Sequence, residues 1–183
     1  MQRVMGFVAS SGSGKTTLME QVITILTQQG LRVAAIKQGH HNCEPDVPGK
    51  DSYRFRQAGA QTVLFTGPQR WFMIQECEQL PIATHLAHLA ENHDLILLEG
   101  ARGHSHAKIA VHRQQSEPSA PSHWWHDDKS IVAVASDDPH LVTSLPCLPL
   151  NDPSQVARFI VEYVAMKEPS PPGPLSHKGR WGT

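Results

Sequence analysis

The sequence predicts an α/β fold, a mostly parallel twisted sheet flanked by helices, and three stretches carry that expectation. An apolar run, Val4 to Val8, feeds the turn Ala9-Ser10-Ser11-Gly12-Ser13-Gly14-Lys15-Thr16-Thr17, after which a helical pattern begins. A second apolar, β-branched run, Leu31 to Ile36, closes a strand–helix–strand unit within about thirty-five residues, which implies a parallel pair and a right-handed crossover. A third, Asp94-Leu95-Ile96-Leu97-Leu98-Glu99-Gly100, reads as a buried strand that ends in an acid and a glycine. Strand, glycine-rich turn and helix in this order make the P-loop NTPase fold the expectation.

Each residue of the turn has a chemical part. Gly12 and Gly14 let backbone N–H groups face phosphate oxygens with no Cβ in the way. Lys15 would reach the β- and γ-phosphates, and the Thr16 hydroxyl would ligate Mg²⁺. The helix beginning near Thr16 adds its dipole and unpaired N–H groups. The usual first glycine of the motif is Ala9 here, a small residue.

The elements then follow in order. Leu18, Val22, Ile25 and Leu26 give the first helix an apolar face, with Gly30 as its C-cap. The run from Leu31 to Ile36 reads as a strand buried on both faces. Gln38 to Gly49 is loop, and Asp51 and Ser52 are expected to cap a short helix through Ala58 that Gly59 stops. Thr62 to Thr66 and Trp71 to Ile74 read as strands joined at Gly67-Pro68, a hairpin-like insertion. Leu80 to Asn92 is expected to be helical, with Leu86, Leu89 and Ala90 inward. Lys108 to His112 and Ile131 to Ala135 are strands around a polar excursion, Gln114 to Lys129, in which Trp124-Trp125 make a local packing contact. Leu148-Pro149-Leu150 leads to Asp152, the N-cap of a last helix with Pro153 first and Val156, Ile160, Tyr163 and Val164 on its apolar face. The domain is expected over residues 1–168, with a Pro/Gly/Ser-rich disordered tail over 169–183.

The bulk numbers exclude several classes. A chain of 183 residues with net charge −1 gives no reason to expect nucleic acid or an anionic membrane as a partner. Cys43, Cys77 and Cys147 are odd in number and lack CxxC spacing, so a reduced, cytoplasmic protein is expected. The first strand and P-loop begin so early that no signal peptide is expected, and no apolar run has the length of a membrane helix.

Among candidate site residues, Glu99 stands where a strand of a parallel sheet ends, the place for a Mg²⁺-organising carboxylate. Asp46-Val47-Pro48-Gly49-Lys50-Asp51-Ser52 reads as a switch-type loop bringing an Asp or Ser to the metal or its waters and Lys50 near the γ-phosphate, and equally as an ordinary turn before a capped helix, two readings that do not exclude each other. Asp137, Asp138 and Asp152 are candidates for a guanine-reading carboxylate, or else cap and turn residues, and no Asn-Lys-x-Asp stretch chooses among them. His40, His41 and Cys43, like His104 and His106, lack structural zinc spacing and read as solvated loop histidines. Arg70-Trp71 is either a partner anchor or a half-buried strand pair, and Arg102 offers positive charge just past Glu99.

Taken together these residues resemble the MobB family, the GTP-binding adaptors of molybdopterin-guanine dinucleotide biosynthesis. The resemblance rests on Ser11 to Thr17, Ile36-Lys37 with His40-His41, Pro48-Gly49-Lys50-Asp51-Ser52-Tyr53, Ala58-Gly59-Ala60, Gln69-Arg70-Trp71, Leu97-Leu98-Glu99-Gly100, Lys108-Ile109, Ile131 to Asp137 and Asn151-Asp152. It spans roughly residues 3 to 166. It implies a homodimer with strands contributed near the insertion, weak GTP hydrolysis, and partnership with the guanylyltransferase and molybdenum insertion proteins of that route. Carried to this chain, it implies that Ser11, Gly12, Ser13, Gly14, Lys15, Thr16 and Thr17 hold phosphates. Gly49, Lys50, Asp51, Ser52, Gly100 and Asp137 would complete the nucleotide site, Thr16, Asp51 and Glu99 would surround Mg²⁺, and Lys15 and Glu99 would serve any hydrolysis. Family members often carry a lysine where Arg102 stands, and the stretch from His104 to Lys129 has no close counterpart.

Two other readings stay open at this level. A P-loop small-molecule kinase using ATP would need an arginine-bearing lid, and Arg54, Arg56, Arg70, Arg102 and Arg113 are scattered. A metallochaperone-type GTPase would use His40, His41 and Cys43, but Ser10 stands where the Gly-Lys-Gly-Gly loop carries a second lysine.

Overall fold

In the computed structural model, which describes residues 3–39, 44–100, 102–114 and 124–166, six strands form one parallel sheet. They are β1 (Val4–Ala9), β2 (Val33–Lys37), β5 (Leu95–Glu99), β6 (Lys108–His112), β7 (Ile131–Ser136) and β8 (Cys147–Pro149), in the order β2-β5-β1-β6-β7-β8. The strands β3 (Thr62–Thr66) and β4 (Trp71–Gln75) pair with each other as an antiparallel hairpin outside that sheet. Among the described residues there are also four α-helices, α1 (Lys15–Gln28), α2 (Asp51–Gln57), α3 (Ile82–Ala90) and α4 (Pro153–Met166), and a short 3-10 helix, Trp124–Asp127. The expected α/β fold with a hairpin insertion is the observed one.

Period-two alternation divides β1 between two cores. Met5 and Phe7, with Leu97, Ile109, Val111 and Ala133, pack under Leu18, Val22 and Leu26 of α1 and Val156 and Ile160 of α4. Each such large side chain contributes roughly 1.5–3 kcal/mol on burial. On the opposite face, Val4, Ile96 and Leu98 meet Leu86 of α3, and Val8, Ala110 and Val134 meet Trp125. These are two separate clusters among the described residues. The Lys108 side chain crosses Gly6, where a Cβ would lie 2.9 Å from Lys108 Cγ, so only glycine leaves room.

Several local expectations need correction. β2 is not buried on both faces: it ends the sheet, and Ala34 alone among its residues is fully buried. The helix expected over Leu80 to Asn92 is shorter, and Ala90 is exposed, because Ile82, Leu86 and Leu89 at four- and three-residue spacing already form the inward stripe. Asp51 and Ser52 do not cap α2. Lys50 is the N-cap residue, Asp51 faces Arg54 at 3.7 Å, and the Ser52 hydroxyl donates to Asp46 Oδ1 at 2.8 Å. Trp125, expected in a surface excursion, is 1% exposed at the heart of the second core. The stretch expected as a lead-in to the last helix contains β8, with Pro149 at its end where a missing N–H costs the ladder nothing. Asp152 does cap α4, accepting from the Ser154 N–H at 3.1 Å. The tail expected over 169–183 lies outside the described residues.

At the opposite edge from the P-loop, Arg32 joins the starts of β2 and β5. Its Nε and NH2 donate to the Asp94 carboxylate at 3.1 and 2.8 Å, and its backbone N–H at 2.8 Å. The Arg32 side-chain hydrogen bonds, then its backbone N–H, hold the Asp94 carboxyl far below the usual carboxylate range. A carboxyl depressed on folding adds stability above its unfolded pKa of about 3.9 and loses it as pH falls toward the folded value. Thermal midpoints of wild type should therefore fall through this acid window, and those of Asp94→Asn should fall less steeply. Parallel curves for the two proteins would refute the assignment.

Candidate functional site

β1 delivers the chain into the turn Ser10 to Gly14, and α1 starts at Lys15. Gly12 and Gly14 have φ of 74° and 81°, the left-handed region that residues with a Cβ adopt at a cost, so the turn is built on them. No side chain caps α1 at Gly14 and no acid sits in its first turn. The amides at this helix start therefore remain available to an anion. Ser13 is 2% exposed and its hydroxyl has no hydrogen-bond partner among the described residues, while nothing lies within 4 Å of where a Cβ on Gly12 would be. An orphaned buried hydroxyl beside an open glycine cradle fits a phosphate group.

Glu99 closes the site from the end of β5, the strand beside β1. Its Oε1 lies 2.9 Å from Lys15 Nζ and accepts from Thr16 Oγ1 at 3.1 Å, and Lys37 Nζ is 3.8 Å from Oε2. Burial pushes this carboxyl up, but the hydrogen bond and charge of Lys15, with Thr16 and Lys37, outweigh it and leave Glu99 below its ordinary value. Lys15, Thr16 and Glu99, predicted from separate motifs, thus converge. Gly100 lines the same cavity and donates its N–H to Phe7 O at 3.1 Å.

That cavity has a volume of 580 Å³ and opens over the ends of β1, β5 and β2, between Ser10, Ser11 and Lys15 on one side and Lys37, Gly39 and Arg102 on the other. Arg102 is fixed there: its NH2 donates to Ala9 O at 2.7 Å, and its guanidinium lies 4.5 Å from the centre of the Trp124 ring.

Asp137 sits elsewhere, at the end of β7. Its Oδ1 accepts from the Gln114 N–H at 2.9 Å and its Oδ2 from Arg113 NH1 at 3.2 Å. Arg113 in turn donates Nε to Ser13 O at 3.4 Å and places NH2 3.1 Å from where a Cβ on Gly14 would lie. Both Asp137 oxygens are thus engaged, Oδ2 in orienting Arg113 against the P-loop backbone and Oδ1 by the Gln114 N–H. Asp138 accepts from the His140 N–H at 2.9 Å and Asp152 caps α4, which are turn and cap duties.

The other predicted residues fall into two groups. Gly49, Lys50, Asp51 and Ser52 are not in the cavity wall; their loop is tied to Arg56, which pairs with Glu44 at 2.7 Å and Glu76 at 3.0 Å. His104 and His106 are half-buried rather than solvated, His104 Nε2 lying 3.0 Å from Gln38 Oε1. Burial, then the neighbouring His104 and Lys108, lower the His106 pKa. His40, His41 and Cys43 lie outside the described residues, and among those described no group of three His, Cys, Asp or Glu could hold a metal. Trp71 is 63% exposed. Sequence reasoning gave Lys37 and Arg113 no place in the site. Their signal was position: each stands at the carboxyl end of a strand, which matters only once β2 and β6 are known to flank β5 and β1.

Residues 4–137 match the family described as MobB, molybdopterin guanine dinucleotide synthesis protein B. The chain is 36% identical over 168 residues to the molybdopterin-guanine dinucleotide biosynthesis adapter protein of Escherichia coli, covering 88% of this chain and 93% of that protein. With the Haemophilus influenzae protein of the same description it shares 35% identity over 166 residues, 88% of this chain and 89% of the relative. In fold it is similar to a crystal structure of molybdopterin-guanine biosynthesis protein B, with a TM-score of 0.69 at 22% identity over 87% of this chain and 99% of that one. The MobB homologue from Bacillus stearothermophilus gives 0.67 at 22% identity, over 90% and 99%. The family match takes in β1, the P-loop, Glu99 and the β7 end that orients Arg113, and with near full-length relatives above one-third identity the chain belongs to the MobB family.

Proposed function

We propose that this chain is a nucleotide-loaded adapter in the assembly of molybdopterin guanine dinucleotide, binding GTP with Mg²⁺ at the P-loop and hydrolysing it slowly. The observation that carries the nucleotide is the meeting of Lys15, Thr16 and Glu99 at the uncapped start of α1. Lys15 would compensate the β- and γ-phosphates, and the amides of Gly12 to Thr17 would hold their oxygens. Thr16 and Glu99 would hold Mg²⁺, which keeps most of its waters and asks for few protein ligands. The metal would neutralise charge between the phosphates.

Slow hydrolysis follows from the state of Glu99. It is the one carboxylate among the described cavity residues, and Lys15, Thr16 and Lys37 hold it below its ordinary pKa, which makes it a weak base toward water. The guanine preference and the partner enzymes, a guanylyltransferase and a molybdenum insertion protein, come from the family and not from a base-reading side chain. Pairing as a homodimer is supported by the hairpin, where Leu64, Phe65, Trp71, Phe72 and Met73 are each at least 42% exposed. A cytoplasmic setting accords with the free thiols of Cys77 and Cys147, and among the described residues no helix is long and apolar enough to cross a membrane.

Titration of the full chain with GTP and with ATP, each with Mg²⁺, tests this reading. GTP should bind more tightly, with phosphate release well below ~1 s⁻¹, the lower end of typical enzyme rates. Equal or tighter ATP binding would remove the guanine assignment, and a monomer by light scattering at micromolar concentration would remove the dimer.

A further inference from the structure

The cavity reaches beyond what a nucleotide needs. Thr16, Lys15 and Glu99 fix the terminal phosphate and its metal at the crevice between β1 and β5. Gly12, Ser13, Gly14 and Thr17, and the Arg113–Asp137 pair at the ends of β6 and β7, lie to the other side of that point and are absent from the cavity wall. The wall runs the opposite way, across the end of β5 to Lys37, Gln38 and Gly39 past the end of β2, with Arg102 above. Three cations and one carboxylate line it among the described residues. With Lys15 committed to the nucleotide and Glu99, which Lys37 approaches at 3.8 Å, committed to the metal, the positive charge of Lys37 and Arg102 exceeds the negative charge of the described residues in this wall.

We infer that this end of the cavity holds a second ligand, a phosphomonoester, whose phosphate lies between Lys37 and Arg102 next to the terminal phosphate of the bound nucleotide. Arg102 suits the role because Ala9 O and the Trp124 ring fix its plane, so its remaining N–H donors are presented as a fork to a tetrahedral oxyanion. Lys37 suits it differently: its side chain is 74% exposed at the rim, a mobile point charge that can close over the phosphate. The cavity's 580 Å³ is shared: its Lys15–Glu99 end takes the terminal phosphate and metal, and its Lys37–Arg102 end is where the phosphomonoester would sit. The chemistry is consistent with the family's product. A dinucleotide joins two phosphomonoester units through a phosphoanhydride, so a protein that holds a nucleoside triphosphate and a phosphomonoester side by side carries the precursors of both halves. The inference rests on the nucleotide reading above for the identity of the first ligand only.

Calorimetric titration with phenyl phosphate, on the full chain loaded with Mg²⁺ and a non-hydrolysable GTP analogue, is the test. One molecule should bind per chain, more tightly than inorganic phosphate or benzoate. Lys37→Ala and Arg102→Lys should each weaken it about tenfold, the loss of one charge-assisted contact, with a smaller change in affinity for the GTP analogue. Failure to saturate at millimolar concentration, one-for-one displacement by the analogue, equal binding of inorganic phosphate, or indifference to both substitutions would each overturn the inference. If the analogue itself does not bind, the nucleotide reading fails separately. Phenyl phosphate binding to the unloaded chain, lost in Lys37→Ala, would then still establish the second site, and its absence would end it.

Discussion

Lys15→Ala is expected to weaken GTP binding about 100-fold while leaving the thermal midpoint close to that of the wild type. A charge-assisted hydrogen bond contributes about 1.5–3 kcal/mol, and at about 1.4 kcal/mol per decade its loss alone spans roughly tenfold to 100-fold. The surroundings of Lys15 push the effect to the upper end. Its ammonium is 2.9 Å from Glu99 Oε1, and the two side chains are 19% and 12% exposed. Removing it withdraws the attraction to phosphate and also leaves the Glu99 carboxylate without its nearest cation, facing a highly charged anion. Glu99→Gln added to Lys15→Ala should therefore recover part of the affinity in the absence of Mg²⁺, because only the repulsion is relieved. Stability changes little because the Glu99 left behind keeps the Thr16 hydroxyl at 3.1 Å and Lys37 at 3.8 Å, and no large core side chain is lost. Wild-type affinity in Lys15→Ala, measured by fluorescent-analogue displacement, would sink the nucleotide reading.

What the sequence made legible is what local pattern encodes. The P-loop is contiguous, Glu99 ends a contiguous apolar run, and α1 and α4 announce themselves by their stripes and by Asp152. The Mg²⁺ candidates Thr16 and Glu99 are 83 residues apart and still came together, because both were placed at the carboxyl ends of strands in a sheet known to be parallel. Strand order is not encoded locally, and everything that depends on it escaped. Arg113 reaches Ser13 only because β6 lies beside β1, and Lys37 reaches Glu99 only because β2 lies beside β5. The same adjacency puts β2 at the edge, against the expectation of full burial. Asp137 reads as a candidate guanine-reading carboxylate or else a cap or turn residue, since its partners, 23 and 24 residues away, are not visible locally. Trp125 illustrates the converse, a polar-looking segment in which the second of two tryptophans fills part of a sheet face.

Asp128→Ala is expected to be among the most damaging single changes outside the two cores, costing about 3 kcal/mol, the lower end of the range for breaking a buried ion pair. The reason lies in Lys108, whose side chain is 1% exposed on the face of the sheet. Its ammonium is held by Asp128 Oδ2 at 3.1 Å, by the Ser130 hydroxyl and by the His104 carbonyl oxygen. Without Asp128 the charge stays buried with neutral partners only. The Asp128 side chain is 32% exposed, so water can enter where it stood, and this is why the low end applies. The opposite deletion should be milder. Lys108→Met keeps the stem that packs over Gly6, and the Asp128 left behind is still satisfied by the Ser130 N–H at 2.9 Å and by solvent. For a chain of this size each kcal/mol moves the thermal midpoint by about 2–4 °C, so Asp128→Ala should melt roughly 6–12 °C low, with Lys108→Met less than half as far and the double variant above Asp128→Ala alone. The pH dependence has a definite sign. Burial raises the Asp128 carboxyl, but hydrogen bonds from Ser130 and Lys108 outweigh it and leave it below its ordinary value, so its contribution is present above about pH 4 and fades in acid. The loop that supplies the His104 carbonyl also carries Arg102, so loosening Lys108 should weaken the cavity wall before the sheet itself opens. If Lys108→Met proves the more destabilising of the two, the ammonium is the indispensable partner and the buried-charge account is wrong.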